Sequence, residues 1–423
     1  MRIVYIQNGY FPYEMKGSEV LNSIYTDEVI KNNEVYCIAS NLVKPIGKFI
    51  PFIGRTKEIY EKVDGVNVIR LDFFFLPYVF SQIISKIPDV PYMPLLKKIK
   101  NKVFIYSQGF KYIGLEKTLR RINPDIVHTT PLSCIYSYQA LDVVNRINSE
   151  RNKCNKENNS EKKIKIVLTT AFHSNILKSF DEEYIKKRLK EFSLIITSTL
   201  AEKEKLAKYF DVDATVYMPD ILKKHDIQKF YQLQNSSYSD KIKKLKDDGN
   251  KIILFCGTKS NDKGIYLTIE VLKKLILNNE NYTLVVCGTN TLAWNIYKFI
   301  KLRKYIVQSN IIDVKYISRG ELNKIFSLSD IFFLPSRVET LGFVYTEAMY
   351  FKLPIIADNS IEELKEIYGD NISYIDNNIN DPNNIEQIAN EFSTVYLQKT
   401  TNINKIHKRD SKNKLDKIYK SII

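Results

Sequence analysis

Apolar residues in this chain gather in short uninterrupted runs, separated by stretches where they recur every three or four positions. In the first half the runs are "RIVYIQ" (2–7), "EVYCIAS" (34–40), "VNVIRLD" (66–72), "PDIVHTT" (124–130), "KIVLTT" (165–170) and "SLIITST" (193–199). Unbroken runs rich in Val and Ile predict parallel strands covered on both faces. "SEVLNSIYTDEVIKN" (18–32) has helical spacing between the first two runs. A strand–helix–strand succession with right-handed crossovers follows.

The pattern restarts at "KIILFCG" (251–257). A helix over 265–278, "YTLVVCG" (282–288), "NIIDVKYI" (310–317), a helix over 320–328, "DIFFLPS" (330–336), a helix from 343 and "PIIAD" (354–358) come after it. The polar stretch 225–250 separates the halves. With 423 residues the chain exceeds one ordinary core. The predicted architecture is α/β, two domains of parallel sheet facing one another across a cleft. Two segments interrupt the rhythm. Residues 151–163, "RNKCNKENNSEKK", predict an exposed loop. Residues 71–96 are aromatic and punctuated by proline, and read either as a local cluster under a long loop or as an apolar patch touching lipid.

Composition narrows the class. Hydrophobic residues make up 44% and charged residues 26%, a globular balance. The apolar stretch beginning at Phe73 falls short of the roughly 20 residues that a membrane-spanning helix needs. The start, "MRIVYIQNGYFPYE", lacks a signal-peptide core, so a cytoplasmic protein is expected. Five cysteines without CxxC spacing and four scattered histidines predict neither disulfides nor a metal cluster. The net charge of +15 reads either as a lysine-rich solvated surface or as attraction to an anionic partner. A phosphate-bearing substrate and the acidic inner face of a membrane both qualify as that partner. Nucleic acid does not, because no recognition motif accompanies the charge.

Candidate chemistry sits in "LPSRVETLGFVYTEAMYFKLPIIA" (334–357). The strand "DIFFLPS" ends at the carboxyl edge of a parallel sheet, where such folds bind ligands. Gly342 can adopt backbone conformations closed to other residues and let main chain approach a ligand. A helix starting at Phe343 offers unpaired N–H groups and a positive dipole end to a diphosphate. Glu339 and Glu347 straddle this glycine, one on the loop and one inside the helix. Upstream, "FCGTKSNDKGIYL" (255–267) reads as strand, glycine turn and helix, with Lys263 able to reach a phosphate.

These segments resemble the family 4 retaining glycosyltransferases of the GT-B fold. The series Pro335-Ser336, Glu339, Gly342-Phe343, Glu347-Ala348-Met349 agrees with the family's in order and spacing. The resemblance implies that Glu347 holds the ribose hydroxyls of a nucleotide and Glu339 faces the donor sugar. The backbone of Gly342, Phe343 and Val344 would meet the diphosphate. Lys263-Gly264 matches the family's Lys-Gly, while Thr258 stands where an arginine is usual and Lys259 is the candidate for the second positive charge. Near the N-terminus Gly17 keeps one glycine of a pair, with Lys16 at the other position and Glu19 in step. Gly17 would bring backbone to the sugar-phosphate. His128 and His173, each at a strand end, are candidates facing the reacting sugar, although Thr130 occupies the place of a family histidine. Lys352-Leu353-Pro354 lacks a family glycine, and Glu363 takes a family acidic position.

The resemblance also implies two Rossmann-like domains, 1–215 binding acceptor and 216–404 binding nucleotide sugar, with a helix over 405–423 crossing back to the first. The implied reaction moves a sugar from a nucleoside diphosphate to a hydroxyl of a glycan or lipid-linked acceptor, with retention, no cofactor and no metal. "DVD" (211–213) imitates the metal-holding Asp-x-Asp of another glycosyltransferase fold. A nucleotide-sugar 2-epimerase and a non-catalytic sugar-nucleotide scaffold are the rival readings.

Overall fold

The computed structural model describes residues 1–10, 17–42, 59–74, 109–154, 162–171, 182–219, 233–278, 280–314, 317–339, 341–397 and 414–423. The chain divides into two compact units, Met1–Pro219 with Asp410–Ile423, and Asp220–Arg409.

Unit 1 begins β1 (Arg2–Ile6), α1 (Gly17–Val29), β2 (Glu34–Ser40), β3 (Tyr60–Val63), β4 (Val66–Leu71), β5 (Phe73–Phe74), β6 (Lys111–Tyr112) and α2 (Leu115–Ile122). It continues β7 (Ile126–Thr129), α3 (Ile135–Cys154), β8 (Lys165–Thr169), α4 (Glu182–Leu189), β9 (Leu194–Thr197), α5 (Leu200–Phe210) and β10 (Thr215–Val216). Its main sheet runs β10-β9-β8-β7-β1-β2-β4-β3. Every pairing is parallel except β3 with β4. Central strands are buried along nearly their whole length, which is why they read as unbroken apolar runs.

Unit 2 contains α6 (Ser237–Asp247), β11 (Lys251–Cys256), a 3₁₀ turn over Asn261–Lys263, α7 (Ile265–Leu277), β12 (Tyr282–Cys287), α8 (Leu292–Lys301), α9 (Arg303–Val307) and β13 (Ile311–Val314). Then come α10 (Arg319–Leu328), β14 (Ile331–Leu334), α11 (Phe343–Tyr350), β15 (Ile355–Asp358), α12 (Glu362–Tyr368), β16 (Ser373–Ile375) and α13 (Pro382–Leu397). Its sheet is wholly parallel in the order β13-β12-β11-β14-β15-β16. Leu254, Phe255, Leu284, Val285, Phe332 and Ile356 form the centre of its core.

A final helix, α14 (Lys414–Lys420), belongs to unit 1 and packs on α1. The Tyr419 hydroxyl meets that of Tyr5 at 2.9 Å, and Asn33 Nδ2 donates to Asp416 Oδ1 at 2.8 Å. Leu415 and Tyr419 are fully buried. Side chains of this size contribute roughly 1.5–3 kcal/mol each when withdrawn from water.

The hairpin β3–β4, which no apolar run marks, turns at Asp64-Gly65 with φ of 48° and 89°, the left-handed pair that a tight hairpin requires. Two expectations change. The separator 225–250 is partly structured: α6 lies within it, started by a Ser236–Ser239 capping box. In 151–163 the first residues are helical, since α3 runs on to Cys154. Residues 75–96 of the aromatic segment lie outside the described residues. Among the described residues no helix is long and apolar enough to cross a membrane.

Candidate active site

Strand order in unit 2 reverses between β11 and β14, and this switch point is where an open parallel sheet leaves a crevice at its carboxyl edge. The turn after β11 and the loop after β14 meet there. Gly264, with φ of 76°, ends the 3₁₀ turn, and a Cβ on it would lie 2.2 Å from the Pro335 carbonyl oxygen. Only glycine allows that approach. Arg337 N donates to the Asp262 carbonyl at 2.8 Å, fastening loop to turn.

This arrangement aims Lys263 across the edge. Its Nζ donates to the Val338 carbonyl and to Glu339 Oε1, both at 2.6 Å. The two side chains keep 21% and 12% of their exposure, so the pair is sheltered yet reachable. Sequence separation of 76 residues hid the contact.

Beyond Glu339 the chain reaches Gly342, with φ of 54°, and turns into α11. No side chain caps this helix; the Tyr345 amide donates to the Gly342 carbonyl at 2.8 Å, and the Phe343 and Val344 amides ahead of it have no acceptor in the preceding turn. Phe343 and Val344 are half-buried at its start. The Tyr368 hydroxyl braces the turn from below, donating to the carbonyls of Leu341 at 2.9 Å and Gly342 at 3.0 Å. Burial raises the pKa of that phenol against the lowering effect of its hydrogen bond with Thr346, and the charges of Glu339 and Glu347 raise it further. Glu347 lies in the second turn of α11 and pairs through Oε1 with Arg319 Nη2. Arg319 opens α10, whose start is fixed by a Ser318–Glu321 capping box.

Lys259 departs from its expected role. It is fully buried, and Nζ donates to Asn290 Oδ1 at 2.8 Å, Asp313 Oδ1 at 2.6 Å and the Val314 carbonyl at 3.0 Å. All three ammonium donors are used, leaving none for a phosphate. Burial lowers its pKa, against the pull of Asp313. Burial also opposes the Asp313 carboxylate, but hydrogen bonds from Lys259 and Lys298 outweigh it and hold its pKa low. Thr258, at the family arginine position, is exposed.

His128 departs as well. It is buried within unit 1, with Nδ1 against the Tyr419 hydroxyl and Nε2 2.8 Å from Thr169 Oγ1. Burial drives its pKa down to about 3, so the ring is neutral and structural rather than turned to a substrate. His173 lies outside the described residues. Gly17 is the first residue of α1. The two aspartates of "DVD" are taken by lysines, Asp211 by Lys186 at 3.1 Å and Asp213 by Lys203 at 2.8 Å. Among the described residues no three His, Cys, Asp or Glu side chains are placed to share a metal ion. Lys352, where the resemblance expects glycine, keeps a left-handed φ of 58°.

Two Rossmann-like units with this edge site have the GT-B fold, as comparison with solved structures shows. The catalytic domain of starch synthase IV from Arabidopsis thaliana, bound to ADP and acarbose, superposes with a TM-score of 0.65 at 11% identity, covering 99% of each chain. Residues 237–414 match the family described as Glycosyl transferases group 1. An uncharacterized 41.2 kDa protein in the cps region of Klebsiella pneumoniae is 23% identical over 75% of this chain and 84% of its own. Glycogen synthase of Petrotoga mobilis is 24% identical over 82% of this chain, which spans 66% of that enzyme.

Proposed function

We propose that the protein transfers a sugar from a nucleoside-diphosphate sugar to an acceptor hydroxyl with retention of anomeric configuration. The observation that carries the reading is the uncapped start of α11 at Gly342, flanked by the Lys263–Glu339 pair and followed on the same helix by Glu347. Departure of a diphosphate concentrates negative charge on its oxygens while the anomeric carbon turns positive. In this reading Lys263 and the Phe343 and Val344 amides are the donors that meet that negative charge, and such preorganisation is the usual largest contribution to rate. Glu347 is acceptor-only when ionised and suits a pair of ribose hydroxyls, with Arg319 holding its other side. Glu339, already hydrogen-bonded to Lys263, would face the sugar.

In the chemical step the anomeric carbon–phosphate oxygen bond breaks and the anomeric carbon–acceptor oxygen bond forms on the same face. The acceptor proton passes to the departing phosphate, so no protein nucleophile is required. Lys263 and the helix start supply positive charge, and turnover is expected to continue in EDTA. The name of the Petrotoga glycogen synthase and the cps location of the Klebsiella protein support a glycan acceptor.

Incubation of the purified protein with a panel of UDP-, GDP- and ADP-sugars, with and without glycan acceptors, tests the reading. Release of nucleoside diphosphate with a new glycoside carrying the donor's anomeric configuration is expected. Recovery of only an isomerised sugar nucleotide would mean epimerisation, and binding without turnover would mean a scaffold.

A further inference from the structure

We propose that helices α8 and α9 of unit 2 form a docking surface for an anionic lipid bilayer. Leu292, Ile296, Phe299 and Ile300 are 77%, 52%, 78% and 64% exposed, and Val307 on α9 is 76% exposed. The first four fall at i, i+4, i+7 and i+8 along α8, an arc of about 100° at 3.6 residues per turn. The opposite side of the same helix is already used: Trp294 is fully buried, and Tyr297 packs against the core. A helix that anchors by one apolar face and offers a second to water has an unpartnered surface.

Charge selects the occupant. Lys301, Arg303 and Lys304 are exposed where α8 passes into α9, and among the described residues none has an ion-pair partner. Lys298, by contrast, is tied to Asp313 at 2.5 Å. A second copy of this chain docking through the same face would bring these three cations toward their own equivalents. An acidic membrane surface satisfies them instead, while the apolar side chains enter the headgroup boundary. The chain's net charge of +15 adds long-range attraction to the same surface.

The test is sedimentation of the full chain with phosphatidylcholine vesicles containing either none or about a third phosphatidylglycerol, in 0.1 M and 0.5 M salt. The higher salt cuts the screening length to roughly 4 Å. Wild type is expected to pellet with the anionic vesicles at low salt and to be released at high salt. Ile296→Ser/Phe299→Ser should lower the vesicle-bound to free ratio at least tenfold, with an unchanged thermal melt because both side chains are mainly exposed. Should that variant fold poorly, Lys301→Glu/Arg303→Glu/Lys304→Glu provides the same test through charge. In Phe299→Trp, the added indole should shift its emission to the blue on anionic vesicles, since the chain's one native tryptophan is buried on the other side of α8. Equal pelleting of the variants and wild type would overturn the proposal. So would failure of wild type to bind, or a wild-type dimer in solution that Ile296→Ser/Phe299→Ser converts to monomer.

Discussion

Replacement of Lys263 by methionine keeps the length of the side chain and removes its charge. In the wild type, Nζ makes two hydrogen bonds of 2.6 Å, one to the Val338 carbonyl and one to Glu339. A hydrogen bond to a charged group is worth about 1.5–3 kcal/mol, and partial exposure of both partners puts the folding loss at the lower end. That loss corresponds to a fall in Tm of several degrees for a domain of this size. The catalytic loss should be larger. Deleting one fixed donor from a site of developing negative charge costs roughly 2.7–4 kcal/mol, or about 10²–10³ in kcat. Release of nucleoside diphosphate at saturating donor, measured well below the melting temperature, reads this effect. Calorimetry with the nucleoside diphosphate separates the causes: direct action on the diphosphate predicts weaker binding by Lys263→Met, whereas a defect confined to the stranded Glu339 carboxylate leaves that affinity unchanged. A folded Lys263→Met protein with kcat within fivefold of wild type would refute the reasoning.

Glu347→Ala is expected to weaken nucleoside diphosphate binding about tenfold or more by calorimetry, while Arg319→Ala, which leaves the carboxylate in place, should weaken it less. Lys259→Met should destabilise unit 2 by about 2–3 kcal/mol in urea, because it strands the buried Asp313 with Lys298 alone, and should leave nucleotide affinity of the folded protein unchanged. His128 has a folded pKa of about 3, below its unfolded value, so the unfolded chain takes up the proton first. Unit 1 therefore loses stability as pH falls from about 6.5 toward 3, at up to roughly 1.4 kcal/mol per pH unit, and none of this arises above 6.5. Urea melts of His128→Gln between pH 7 and 5 should show a shallower decline than wild type.

Parallel strands were legible because burial on both faces leaves no polar alternation to confuse the pattern, as in "KIILFCG" and "DIFFLPS". The Glu339–Gly342–Glu347 series was legible because a glycine between loop and helix has a local backbone meaning. Side-chain direction was not. Lys259 bridges Asn290 as extended backbone, so it points opposite to exposed Thr258 and runs inward. An aspartate within the apolar run "NIIDVKYI" was the available hint of a buried cation. The partners of His128 and Glu347 come from distant segments, Tyr419 and Arg319, and no short-range pattern announces such meetings. The Asp64-Gly65 pair has the local chemistry of a hairpin turn, but β3 carries no apolar run to mark it, with two of its four residues exposed.

Tyr419 seals a pocket of aromatic and imidazole rings laid down by the first 130 residues of the chain. A ribosome must therefore translate all of the second unit before the first receives its closing piece. Growing chains usually fold each domain as it emerges. Until residue 419 has emerged, Tyr5 and His128 lack the hydroxyl that joins them in the finished domain.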